Sequence, residues 1–117
     1  MTRLYLPATL RLLAVLDDDG SLSVGDDVVV VEHESEDEEY DALMTAAETA
    51  AVLAAEMEPG ERRRVVVVAE VAQAGAPARI SRSEVVAVHA DPDEQAGPDD
   101  DLAWYATQEI PALLNRN

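Results

Sequence analysis

The sequence predicts an α/β domain, with α+β as the alternative: a mixed sheet of about four strands packed by three helices, in the order βαβαββα. Three observations lead there. The stretch Arg62 to Val71, RRRVVVVAEV, holds an unbroken apolar run, Val65 to Ala69, and a strand reads that way when both of its faces are covered. Ahead of it, Ser35 to Met57 repeats apolar residues at helical spacing behind a capping signature. Behind it, Val85 to Val88 form a second β-branched run. At 117 residues the chain is expected to be one domain, 1–117, large enough to bury roughly two thirds of its unfolded surface.

Each element has its own signal. Arg3 to Leu6 reads as a short strand closed by Pro7, which cannot donate to a ladder. Thr9 caps a helix whose Leu10, Leu13, Ala14 and Leu16 or Val15 recur at helical spacing before Gly20 ends it. Asp17, Asp18 and Asp19 oppose the helix dipole there, so they are expected to be solvated and the last turn frayed. Ser21 to Glu34 leaves a choice. Ser21 to Val24 alternates and Val28 to Val31 is solid, so the two either form a hairpin around Gly25-Asp26-Asp27 or only one joins the sheet, the other being a short helix. Ser35 and Glu38 match a capping box, and Tyr40, Leu43, Met44, Ala47, Ala51 and Ala54 then make one apolar face up to Pro59-Gly60.

Helix and strand alternate up to Val71, so the first two crossovers are expected to join parallel strands. The strands at Val65 and Val85 could instead pair antiparallel across the Gly75 loop. Ser81 and Glu84 also have capping-box spacing, but the valines that follow suit a strand, and the box is read as accidental. Residues 91–100 form an acidic, flexible loop. A last helix from about Asp99 turns Leu102, Tyr105 or Ala106, Ile110, Leu113 and Leu114 inward, with a kink or restart at Pro111.

Charge and composition exclude several function classes. With 25 acidic and 8 basic residues, all eight of them arginine, the net charge is -17. A field of that sign repels phosphate backbones and anionic lipid, so neither nucleic acid nor membrane is expected as a partner. Without cysteine there is no disulfide or thiolate nucleophile, and without lysine there is no Schiff base. No glycine-rich phosphate loop or GxSxG elbow occurs, and DDDGSLSVGDD fails as a calcium loop because the twelfth position from Asp17 is Val28. No cofactor and no metal is expected. The apolar stretch from Leu4 is broken by Pro7 and Arg11 and does not read as a signal peptide, and no run approaches transmembrane length, so a cytoplasmic location is expected.

The blocks RLYLPATL at Arg3 to Leu10, EEYDAL at Glu38 to Leu43, RRRVVVVAEV, VVAVHAD at Val85 to Asp91 and WYATQEI at Trp104 to Ile110, in this order, resemble a family of small uncharacterised actinobacterial proteins, a domain of unknown function. The resemblance spans nearly the whole chain. It implies a cytoplasmic bacterial protein and carries over no catalytic residue. Similar members often have a Thr-Pro pair after the second strand, where this chain has Gly25-Asp26.

Candidate site residues are few. His89 at a strand end has Asp91 two positions on, which puts both on one face where the acid could orient the imidazole. Glu109 or Tyr105 would complete a small acid/base hydrolase-like site. The plainer reading, preferred here, is a partly buried histidine hydrogen-bonded at a strand end. His33, within EHESEDEE, reads as solvated. On a helix Trp104 and Gln108 would share one face, and Tyr105 and Glu109 the adjacent one, so Trp104, Tyr105 and Gln108 could line a binding surface or simply anchor the helix. Arg62, Arg63 and Arg64 would alternate faces on a strand and form no single anion clamp. The expected function is a noncatalytic module that binds a protein partner or forms a homo-oligomer. The enzyme is the alternative.

Overall fold

The computed structural model describes residues 1–32 and 35–116. Strands β1 (Thr2–Ala8), β3 (Val29–Val31), β4 (Val65–Val71), β6 (Val85–Ala90) and β7 (Ala103–Tyr105) make a five-stranded sheet in the order β3-β1-β4-β6-β7. Strands β2 (Ser21–Ser23) and β5 (Arg79–Ser81) form a separate two-stranded ladder. The helices are α1 (Leu10–Asp19), α2 (Glu36–Ala55) and the short α3 (Ile110–Leu113).

The valine run is the central strand, with Val65, Val66, Val67 and Ala69 fully buried. Its alternate residues look to two cores. Val65, Val67, Ala69 and Val71 pack with Leu13 and Leu16 of α1, Ile110 and Leu113 of α3, and Leu22 and Ile80 of the small ladder. Val66 and Val68 pack with Tyr5, Ala87 and the alanines of α2. Burial on both faces accounts for the solid run, but every neighbouring pair in the sheet is antiparallel, so the expectation of parallel neighbours fails. The reason is topological. β3 and β4 flank β1 on opposite sides, each antiparallel to it, so the strands joined by α2 run parallel without touching. The antiparallel pairing expected between the strands at Val65 and Val85 is present.

Local signals fare well where they are chemical. The Thr9 hydroxyl accepts from the Leu12 amide at 3.1 Å, Gly20 closes α1 at φ 74°, and the Ser35 hydroxyl accepts from the Glu38 amide at 3.1 Å. The Ser81 box is not accidental: the Glu84 carboxylate accepts from the Ser81 amide at 2.8 Å and turns the chain through one 3₁₀ turn, 82–84, into β6. Both halves of Ser21 to Val31 are strands, but they do not form a hairpin, because β2 pairs with β5. β1 runs through Pro7 to Ala8, since β3 covers only Arg3 to Tyr5 and the strand has a single partner where proline lacks its donor.

Three further expectations are corrected. Asp17 is withdrawn from solvent, and α1 does not fray at Asp17, because Arg82 and Arg116 both bind its carboxylate. The buried face of α2 is Ala42, Ala46, Ala47, Ala50 and Ala54, rotated from the expected stripe, so that Tyr40 stands out at 56% exposed. Methyl groups alone let the helix axis approach Val66 and Val68; larger side chains sit on its flanks. The last expected helix is instead β7, a 3₁₀ turn at 107–109 and α3, with Pro111 in the first helical turn. The open edge of β6 takes the aromatic segment as a strand.

Ala46→Leu, at a position with no exposure, is expected to overpack the α2 interface and cost about 1–3 kcal/mol. Val52→Ala on the solvent side should change stability by less than about 0.5 kcal/mol. Urea denaturation of the two variants beside the parent checks both.

Candidate functional site

The site begins where the β4–β6 ladder ends. Its register pairs Val65 with Ala90, and the Asp91 amide donates to the Arg64 carbonyl at 3.0 Å, carrying the pairing one residue further. Arg64 and Asp91 therefore stand side by side on the α2 face, both buried. Nε of Arg64 donates to Oδ2 of Asp91 at 2.9 Å and a terminal nitrogen donates to Oδ1 at 2.7 Å, the two-pronged geometry of guanidinium on carboxylate. The Arg64 amide adds a third bond to Oδ2 at 3.0 Å. The remaining guanidinium donors reach the carbonyls of Pro98 at 3.2 Å, Gly97 at 3.1 Å and Asp100 at 2.8 Å. The acidic connection after Asp91 is thus wrapped around one cation. Hydrogen bonding to Asp91 raises the Arg64 pKa above its ordinary value, so the guanidinium keeps its charge.

This pair changes the reading of His89. Asp91 does lie on the face that the strand spacing predicts, but it binds Arg64 with both carboxylate oxygens and does not orient the imidazole. His89 is half-buried, and burial lowers its pKa below 6.5, leaving the ring neutral at pH 7. Its cross-strand neighbour is Trp104.

A pocket of about 270 Å³ opens between this edge of the sheet and α2. Tyr40, Leu43 and Met44 line it from the helix, His89 and Trp104 from the strands, and Asp100 and Asp101 from the connection. Trp104 is 61% exposed, so its ring forms an open wall.

The other expected residues lie elsewhere. Tyr105 pairs with Val88 and so points to the opposite face, where it shares a separate depression with Glu109, Arg63 and Leu113. Gln108 is exposed on the turn that Thr107 fastens to the Val85 carbonyl at 3.0 Å. The structure brings His89 and Trp104 together and leaves Tyr105 and Glu109 across the sheet from them. His33 lies outside the described residues. Tyr40, Asp100 and Asp101 were missed: helical spacing placed Tyr40 in the core, and a loop has no periodicity to read. Among the described residues no three histidine, aspartate or glutamate side chains are grouped to hold a metal.

Arginine chemistry is committed inside the molecule. Besides Arg64, Arg3 bridges Glu39 and Glu70, Arg11 binds Glu61, and Arg62 and Arg63 donate to the carbonyls of Met57 and Asp91. Arg79 donates to Ser21 and Ser23, and Arg82 and Arg116 to Asp17.

A family model described as a family of unknown function, DUF6912, matches residues 2–114. No curated protein and no solved structure matches the chain.

Asp91→Ala leaves a buried guanidinium without its counterion and is expected to cost about 3–5 kcal/mol. Arg64→Met with Asp91→Leu should recover most of that loss, as chemical denaturation of the three proteins will show. A pKa lower in the folded than in the unfolded chain makes the unfolded state bind more protons, so the His89 contribution is present above pH 6.5 and is lost as pH falls below it. His89→Gln should flatten that part of the stability profile, measured by thermal unfolding across the acid range.

Proposed function

We propose that this chain, which belongs to DUF6912, a family of unknown function, is a noncatalytic interaction module that seats an arginine or lysine side chain of a partner protein against Trp104. The observation that carries this reading is the exposed Trp104 ring set opposite Tyr40 with Asp100 and Asp101 beside them. Aromatic faces attract cations by about 0.5–2 kcal/mol, and the neighbouring carboxylates add to that attraction. The pocket also contains Arg64, whose charge is already answered by Asp91 and three carbonyls. Net charge supports a basic partner over a second copy, because two chains each at -17 repel one another.

The enzyme reading lacks this support. Neither group expected to assist His89 is free to do so, since Asp91 is bound to Arg64 and Glu109 lies on the far face. A cytoplasmic setting accompanies the proposal and is supported by the absence of cysteine. Among the described residues, no helix is long and apolar enough to cross a membrane.

Trp104 is the sole tryptophan, so its fluorescence reports the pocket directly. Titration with an arginine-rich peptide should change that emission saturably, and Tyr40→Ala should weaken the response by roughly tenfold while shifting stability by less than about 0.5 kcal/mol. Equal binding of a glutamate-rich peptide would refute the reading.

A further inference from the structure

A second groove lies away from Trp104, on the other flank of α2. It measures about 560 Å³ and runs between α2 and β3, the strand at the margin of the sheet. Its wall is a single helical stripe, Glu38, Asp41, Ala42 and Thr45, spaced three and four apart. Its floor is the backbone and side chains of Val29 to Glu32. Val29 and Val31 turn toward α2, while among the described residues β1 is the one strand paired with β3.

We infer that this groove accepts an extended, basic segment of a partner protein, which adds to β3 as a sixth strand beneath α2. A strand at a sheet margin presents unpaired amide and carbonyl groups on its outer side, and adding a strand there supplies partners for them. The open cleft between β3 and the adjoining helix has room for side chains on one face of the incoming strand. Charge selects the occupant: Glu32, Glu38 and Asp41 line the cleft, and among the described residues no basic side chain lines it. The same carboxylates disfavour the obvious competitor, a second copy paired margin to margin, since each copy would bring its own acids to the contact. This surface shares no lining residue with the Trp104 pocket, so the two sites can be tested apart.

The test titrates the full-length, ¹⁵N-labelled chain with a peptide alternating lysine and valine. Amide shifts are expected at Val29 to Glu32 and along Glu38 to Thr45, with affinity falling as salt is added. A peptide alternating lysine and proline carries the charge but offers donors at only half its positions, so it should bind much more weakly. Equal binding by it would mean charge alone is at work and would overturn strand addition. Glu38→Arg with Asp41→Arg, both on the outer part of a helix, should weaken the lysine–valine peptide by roughly tenfold or more. Trp104→Ala should leave it unchanged, so loss of one site does not register as loss of the other. Shifts confined to other strands, or concentration-dependent dimerisation in place of peptide binding, would also overturn the proposal.

Discussion

Arg64 and Asp91 form the contact on which the edge of the molecule bearing Trp104 depends. Drawing two opposite charges out of water costs several kcal/mol for each ion, and their attraction offsets that only when the geometry is good and no donor is left over. Here every polar end is met. Asp91 receives three hydrogen bonds from Arg64, and the guanidinium has further acceptors in the carbonyls of Gly97, Pro98 and Asp100. Those carbonyls belong to the connection that leads into β7. Holding them sets where Asp100 and Asp101 emerge, and so which charges stand beside Trp104.

The same logic extends to the whole charge distribution. Positive groups act as internal ties: Arg3 joins β1, β4 and α2 through Glu70 and Glu39, and Arg82 with Arg116 binds Asp17 and Asp18 in the last turn of α1. α2 divides the surface into two clefts. One is aromatic and lies over β6 and β7; the other is aliphatic and lies over the free margin of β3. Both are edged by acid, which is why both readings point to cationic partners.

Much of the local structure is legible in the residues. Thr9, Gly20 and Ser35 begin or end helices through contacts within a few positions, and the valine run announces a strand covered on both faces. The direction of neighbouring strands is not legible, because a strand buried on both faces looks the same whether its neighbours run with it or against it. The aromatic segment at Trp104 deceived for a related reason. Its spacing suits a helix, but the vacant edge of β6 offers backbone partners that no local pattern records. The candidate site was legible only in part. His89 and Trp104 were singled out separately, and their adjacency follows from the β6–β7 register. Tyr40 was assigned to the core because the helical stripe was rotated from its true position.

By itself, then, the sequence determined the order of most elements, the central strand, the helix caps and a strongly negative net charge. These depend on contacts between near neighbours in the chain, on side-chain size and on summed charge. Tertiary structure alone decided the antiparallel order, the partner of Asp91, the division of His89 from Glu109 and the two clefts beside α2. Those features join residues tens of positions apart. What brings them together is competition among packing surfaces and hydrogen-bonding edges, and that competition is settled only when the whole chain has folded.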